Sequence, residues 1–123
     1  MILFDENTAV LLRRHICGKR VDSVLLGTYG MVIQFDGVSI HCNERVFSKI
    51  GETVYEWQDS PSSAPWGALV RQMTNEVSFS CPQRLRIGLE SGDYIELETV
   101  EGLHESIVIN FPREGDKLIM EIY

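Results

Sequence analysis

The sequence is poor in the features that mark disulfide-rich, secreted or membrane-spanning proteins. Its 123 residues include only three cysteines, Cys17, Cys42 and Cys81, and an odd number without C-x-x-C spacing argues against a disulfide framework. No apolar run approaches the roughly 18 residues that cross a bilayer. Asp5 and Glu6 stand where a secretory signal carries cations. These absences predict a cytoplasmic protein.

Recognisable catalytic and cofactor-binding motifs are also missing. The chain has no G-x-S-x-G elbow, no P-loop and no G-x-G-x-x-G segment. His41 adjoins Cys42, but neighbouring residues on a strand point to opposite faces, so the two cannot share a metal ion. The sequence therefore predicts no enzyme activity, no metal site and no cofactor.

Positive charge is scarce, and the net charge is −7. Nucleic acids and anionic membranes bind clustered cations, so neither is predicted as a partner. The segment 90-ESGDYIELETVEGLHE-105 contains no Lys or Arg. Its carboxylates are Glu90, Asp93, Glu96, Glu98, Glu101 and Glu105. Such a segment suits either a solvated strand or the contact surface for a basic protein.

The chain length indicates one domain, residues 1–123, in which two pseudo-repeats, about 5–50 and 62–123, flank a connector at 57–66. The repeat is inferred from positions where the two halves have the same or a similar residue, all of them glycines or apolar residues that are common in β-hairpins. The matched pairs are Gly18 with Gly67, Val21 with Val70, Phe35 with Leu89, Gly37 with Gly92, and Ile40 with Ile95. Two β-hairpins of unrelated origin can share such matches, so a true duplication stays open.

Each half begins with a short helical pattern. In the first half, Asp5 or Asn7 can cap a helix that runs to Ile16 and stops at Gly18. Val10, Leu11, Leu12 and Ile16 are predicted to lie near its apolar face. In the second half, Pro65 suits a first helical turn. These patterns predict an α+β fold, β-dominated, with two similar hairpin-containing halves, each led by a short helix, sharing one core.

Residues 31-MVIQFDGVSIHC-42 predict a hairpin with a two-residue turn at Asp36-Gly37. The turn pairs the apolar residues of both strands on one face. The predicted pairs are Phe35 with Val38, Ile33 with Ile40 and Met31 with Cys42. A further hairpin is predicted from 106-SIVINF-111 and 117-KLIMEIY-123.

Residues 84-RLRIGLESGDYIELET-99 predict a hairpin with a three-residue loop, Ser91 to Asp93. This register pairs Leu89 with Ile95 and places Arg86 across from Glu98. Glu96 and Glu98 then lie on the outer face of a strand whose inner face is apolar. Arg84 and Arg86 can neutralise only part of the acidic segment, which predicts a patch with excess negative charge.

The pattern as a whole resembles a group of small bacterial proteins, some of which are immunity partners of polymorphic or contact-dependent growth-inhibition toxins. The resemblance rests on 18-GKRV-21, 67-GALV-70, 89-LESGDYIEL-97 and 104-HESIVI-109. Relatives often carry a Tyr-Glu-Ser triplet near the second hairpin. This chain has His104-Glu105-Ser106 there, so the element is only partly kept.

The resemblance implies a cytoplasmic protein that binds a toxin domain and blocks its active site. A toxin that cleaves nucleic acid presents a basic cleft, which an acidic protein can occupy. The predicted toxin-binding residues lie in the acidic segment, with the tyrosine as an aromatic anchor. They are Glu90, Asp93, Tyr94, Glu96, Glu98 and Glu101.

Two other functions stay open at this point. An exposed β-edge could make the chain a protein-binding or self-associating module, and the sequence does not give the oligomeric state. Alternatively, Glu96 and Glu98, two apart on one strand, could serve as the paired carboxylates of a glycosidase. A deep pocket with a perturbed carboxylate would favour a small-molecule site.

Overall fold

A computed structural model describes residues 4–27, 30–43, 45–58, 64–100, 106–112 and 119–123. Within these ranges the chain forms one α-helix, a short 3₁₀-helix and ten β-strands. They are α1 Glu6–Ile16, β1 Val21–Leu26, β2 Met31–Phe35, β3 Val38–Cys42, β4 Arg45–Ile50, β5 Thr53–Gln58, the 3₁₀-helix Trp66–Leu69, β6 Thr74–Cys81, β7 Arg84–Leu89, β8 Tyr94–Glu98, β9 Ile107–Asn110 and β10 Met120–Ile122. The predicted β-dominated α+β class is confirmed.

The strands form two antiparallel five-stranded sheets. The first sheet has the order β1-β2-β3-β9-β10, and the second sheet has the order β6-β7-β8-β4-β5. Each sheet therefore takes three consecutive strands from one half of the chain and a hairpin from the other half. If β1, β2 and β3 are replaced by β6, β7 and β8, and β9 and β10 by β4 and β5, the strand order of the first sheet becomes that of the second sheet.

The first strand of each trio carries the same irregularity. The register of β1 against β2 shifts between Val21 and Ser23, and that of β6 against β7 shifts between Thr74 and Glu76. Three residues before Val21 lies Gly18 with φ +83°, and three before Thr74 lies Arg71 with φ +76°. Relative to these register shifts, Gly18 therefore has the same position as Arg71, whereas the sequence comparison matches it with Gly67.

The two sheets meet where these trios begin. Arg20 and Met73 form an antiparallel bridge between the segments that lead into β1 and β6. Backbone hydrogen bonds on either side reinforce it: Gly18 N donates to the Thr74 carbonyl at 2.8 Å, and Val21 N donates to the Gln72 carbonyl at 2.9 Å. Two edges that would otherwise be open are thereby joined.

The inner faces of both sheets form one hydrophobic core. The first hairpin has the predicted register, with Phe35 opposite Val38, Ile33 opposite Ile40 and Met31 opposite Cys42, and all six residues are buried. Alternation of apolar and polar residues on both sides of the tight turn fixes which face points inward. The C-terminal hairpin of β9 and β10 is present as well.

The helix α1 closes one side of the core. Asp5 is its N-cap and accepts hydrogen bonds from Asn7 N at 2.7 Å and Thr8 N at 3.3 Å. Leu12 and Ile16 are buried as predicted, together with Thr8 and Ala9. Val10, however, is 51% exposed, because the buried stripe follows the four-residue spacing of 8, 12 and 16.

The 3₁₀-helix packs against β1 of the first sheet and β4 of the second sheet. It buries Trp66 and Leu69, and it lies directly after Pro65, where a short helical lead is predicted. The predicted connector at 57–66 begins and ends in ordered structure, since Trp57 is a buried residue of β5 and Trp66 opens the 3₁₀-helix. Residues 59–63 lie outside the described ranges.

The second hairpin has the predicted faces but not the predicted register. Ile87 pairs with Ile95 and Leu85 with Leu97, two residues away from the predicted partners. The loop is Glu90–Gly92, closed by a hydrogen bond from Leu89 N to the Asp93 carbonyl at 2.9 Å. In a three-residue hairpin loop the left-handed residue is the last of the three. Gly92 has φ +93°, so the loop ends at Gly92 and begins at Glu90, one residue before the predicted loop of Ser91 to Asp93.

Candidate protein-binding face

The predicted acidic residues separate into three environments. Tyr94, Glu96 and Glu98 lie on the outer face of the second sheet. Glu90 is exposed in the β7–β8 loop, whereas Asp93 at the end of that loop is buried. Glu101 and Glu105 are outside the described residues. The structure therefore does not gather the predicted set into one surface.

Glu96 is 3% exposed although it lies on the outer face of its strand. Arg86, directly opposite on β7, donates through Nε to Glu96 Oε1 at 2.9 Å, and its Nη2 donates to the same oxygen. Ser80 Oγ donates to Oε2 at 3.0 Å, and Arg84 Nη1 lies 3.6 Å from that oxygen. Both carboxylate oxygens are thus occupied within the protein.

Glu98 continues the same network. Arg84 Nε donates to its Oε1 at 3.2 Å, and Arg45 Nη1 on β4 lies 2.7 Å from its Oε2. Arg45 also donates to Glu56 Oε1 on β5, through Nε at 3.1 Å and Nη2 at 2.8 Å. The hydrogen bond to Glu56 is the largest cause of a raised pKa for the Arg45 guanidinium.

The network links three arginines with three glutamates across four strands: Arg45, Arg84, Arg86, Glu56, Glu96 and Glu98. The expected excess of negative charge is therefore absent at Glu96 and Glu98. The predicted pairing of Arg86 with Glu98 is wrong by one pair, because the register places Arg86 at Glu96 and Arg84 at Glu98. The two carboxylates also lack the free oxygens that a glycosidase pair requires.

Two half-buried aromatic rings lie within this network. The Arg84 guanidinium lies 4.0 Å and that of Arg45 4.9 Å from the ring centre of Phe47. Arg86 lies 4.0 Å from the ring centre of Tyr94. The arginines that neutralise the glutamates therefore also fix both rings by cation–π contact. We call this surface the charged face: Arg45, Phe47, Arg84, Arg86, Tyr94, Glu96 and Glu98.

Asp93 is a structural residue that joins three segments. It accepts hydrogen bonds from Gly51 N in the β4–β5 turn and from Gln72 Nε2 after the 3₁₀-helix, both at 2.9 Å. Desolvation by burial opposes its ionisation, but these bonds, a bond with Ser91 and the charge of Lys49 outweigh it and lower the pKa of the carboxyl. Asp93 thus holds loops together and does not face solvent.

Glu90 is the predicted acidic residue that stays exposed and unpaired among the described residues. Glu52, in the β4–β5 turn, is likewise exposed and forms no ion pair with a described residue. Asp93 bridges their two loops through Gly51 and Ser91. The loop end of the second sheet therefore carries carboxylates without an ion pair to a described residue, whereas Glu96 and Glu98 on the outer face of that sheet are bonded to arginines.

The outer face of the first sheet has a different character. One residue from each strand forms a row across it, and the register puts these residues opposite one another in turn: Leu25, Val32, His41, Val108 and Ile122. The terminal members are 51% and 52% exposed, respectively. Beside the row, a shallow groove of about 260 Å³ is lined by Asp22, Gln34, Ser39 and Asn110, among others.

Sequence reasoning missed Phe47 and Arg45 as members of the charged face. The alternation in 45-RVFSKI-50 could have placed both on one face of a strand. Nothing local indicated that this strand lies beside β8, because the pairing of β4 with β8 joins residues 45–53 positions apart.

Comparison with protein-family models, with curated proteins and with solved structures found no match. Among the described residues, no cluster of three or more His, Cys, Asp or Glu side chains could hold a metal ion. No helix within those residues is long and apolar enough to span a membrane.

Proposed function

We propose that the protein is a non-enzymatic, cytoplasmic immunity protein that binds and neutralises a bacterial toxin domain through the charged face. The observation that supports this is the pair of half-buried aromatic rings, Phe47 and Tyr94, each held by arginine on an open sheet. Aromatic and arginine side chains dominate the binding energy of protein interfaces. Rings held in place before binding lose less entropy on association.

The net charge of −7 supports a basic partner such as a nuclease domain. Because Glu96 and Glu98 are neutralised by arginine, the attraction is assigned to the chain as a whole and to the exposed Glu52 and Glu90. Long-range attraction of this kind speeds association, while the aromatic anchors determine the lifetime of the complex.

The test is to mix the purified protein with the product of the gene next to its own and to measure binding at low and high salt. Phe47→Ala and Tyr94→Ala should each raise Kd about tenfold or more, mainly through faster dissociation. Glu90→Lys should slow association and reduce the dependence on salt. His41→Ala, on the exposed outer face of the first sheet, is the matched control and should bind like the wild type.

Absence of a complex would reject the immunity function. A complex that tolerates both aromatic substitutions but is weakened by His41→Ala would place the interface on the first sheet and reject the charged face. Equal binding at low and high salt would show that charge does not contribute to the association, and would reject the basic character proposed for the partner.

We also infer that the chain is built from two similar halves that exchange hairpins. The equivalent strand orders of the two sheets support this, as do the matched register shifts at Val21–Ser23 and Thr74–Glu76. The positive φ shared by Gly18 and Arg71 supports it further. A duplicated ancestor in which each copy formed one helix and five strands would produce this arrangement.

A further inference from the structure

Within the described residues, the strand β5 is a sheet edge without the usual protection against pairing with another strand. Residues Thr53–Gln58 pair with β4 on one side, and no backbone hydrogen bond reaches them from any other described segment. The strand contains no proline and has a regular register throughout. Natural sheets usually block such an edge with a bulge, a proline or an unpaired charge.

The other three sheet edges are protected. β1 and β6 each carry a bulge, and the segments that lead into them pair with each other at Arg20 and Met73. The 3₁₀-helix packs on β1, and α1 packs on β6. β10 has only three residues. Among the described strands, β5 is therefore the long unprotected edge.

The hairpin geometry shows which backbone groups of β5 are available. The β4–β5 turn has two residues, so the flanking pair Ile50–Thr53 is a hydrogen-bonded pair. Hydrogen-bonded pairs alternate along the strand, and Tyr55 and Trp57 also direct their backbone groups toward β4. Val54 and Glu56 direct their N–H and C=O groups toward the free edge.

We propose that β5 pairs antiparallel with β5 of a second copy of this chain, which joins the two second sheets into one ten-stranded sheet. In two registers the free N–H and C=O groups of one β5 face those of the other, and each register pairs five residues of one strand with five of its counterpart. One sets Glu56 against Glu56 of the second copy; Arg45 bonds only Oε1 of each carboxylate, so two like charges would still lie directly opposite each other, which is destabilising. The other sets Val54 against Glu56 and places Tyr55 against Tyr55 on the symmetry axis, so charge selects this register.

The selected register also suits the side chains. Tyr55 is half-buried at the margin of the core, and its counterpart would cover it. Val54 is 55% exposed and would lie beside the stem of Glu56, whose carboxylate is already bonded to Arg45. Because the two-fold axis is perpendicular to the sheet, both charged faces lie on the same side of the dimer, with β8 left uncovered in each copy.

Sedimentation equilibrium across a range of protein concentrations tests the dimer. Val54→Pro removes an N–H that points to the free edge, while it leaves the pairing with β4 intact, so it should abolish dimerisation without unfolding the protein. Val54→Thr keeps the N–H and the strand propensity, and this control should dimerise like the wild type. Circular dichroism and the melting temperature establish that both variants are folded.

Disulfide trapping tests the register. In a background of Cys17→Ser and Cys81→Ser, Tyr55→Cys should give a covalent dimer under mild oxidation, because the two thiols would lie across a close, non-hydrogen-bonded pair about 4.5 Å apart at Cα. Glu56→Cys in the same background is the matched control for the rejected register and should cross-link much more slowly.

A wild type that stays monomeric at about 1 mM would overturn the proposal, as would a dimer that survives Val54→Pro. Faster trapping of Glu56→Cys than of Tyr55→Cys would overturn the register. The proposal does not depend on toxin binding: loss of the dimer leaves the charged face unchanged, and absence of a toxin complex leaves the sedimentation result standing.

Discussion

Arg86 and Glu96 face each other directly across β7 and β8, and Nε of Arg86 donates to Oε1 of Glu96 at 2.9 Å. The carboxylate side chain is 4% exposed, whereas the arginine side chain is 40% exposed. The charge of Glu96 is thus enclosed by its own sheet, and only the guanidinium reaches solvent. A residue that sequence alone assigned to partner binding stabilises the surface on which a partner would bind.

Substitution of Glu96 by glutamine should destabilise the protein by about 1–3 kcal/mol, because a buried carboxylate that accepts charge-assisted bonds from Arg86 and forms an ion pair with Arg84 loses its charge. The shape of the side chain is kept, so the loss reports the electrostatic part of the network. Urea unfolding at pH 7 measures it. Glu90→Gln, at an exposed loop position, is the matched control and should unfold at the same urea concentration as the wild type.

Asp93→Asn should lower the free energy of unfolding at pH 7 by about 1–3 kcal/mol, because an amide replaces an ionised acceptor of buried hydrogen bonds. The folded-state pKa of Asp93 lies below its unfolded value. Its contribution is therefore complete above the unfolded pKa, near 3.9, and is lost as pH falls through the lower folded pKa. Urea unfolding at pH 7 and at successively lower pH should show the difference between wild type and variant shrinking in that acid range.

A difference between wild type and Asp93→Asn that stays constant into the acid range would contradict the role of the ionised carboxylate. It would assign the loss to the geometry of the side chain instead. Asp36→Asn is the control, since this carboxylate is exposed and Lys19 is its ion-pair partner among the described residues.

The left-handed positions Gly18 and Arg71 should respond oppositely to substitution. Gly18→Ala should destabilise by about 1 kcal/mol, since a Cβ there meets no atom within 4 Å and the cost is confined to the backbone at φ +83°. Arg71→Gly should be neutral or stabilising by up to about 1 kcal/mol, because it relieves φ +76° at an exposed side chain.

Thermal unfolding of both variants measures these effects. Stabilisation by Gly18→Ala, or a clear loss with Arg71→Gly, would show that the two positions are not equivalent turns. Arg71→Ala separates the side chain from the backbone, because it removes the guanidinium but keeps the strained φ.

Local turn chemistry and period-two alternation were sufficient to predict much of the fold. Asp36-Gly37 permits one tight turn, and the alternating residues beside it then have a single inward face. Asp5 and Gly18 likewise marked the limits of α1. In these elements the determining residues are close together in sequence, so the pattern could be read without a structure.

The charged face depended on information that local pattern does not carry. The pairing of β4 with β8 brings Arg45 to Glu98, and this contact joins the first and the last residue of the chain segment that forms the second sheet. The burial of Asp93 similarly requires the turn at Gly51 and the segment at Gln72 to converge. The number of acidic residues could be counted from the sequence, but which arginines neutralise them depends on which strands are neighbours in the sheet.

The exchange of hairpins between the sheets has a consequence for synthesis on the ribosome. When the chain has emerged only as far as Gln58, β4 and β5 have no neighbour, because β8 has yet to be made. The first sheet is equally incomplete until β9 follows. Both sheets thus depend on strands from the last third of residues 1–123: β4 and β5 can join the rest of the second sheet only after β8 is made, and the first sheet gains its last two strands later still.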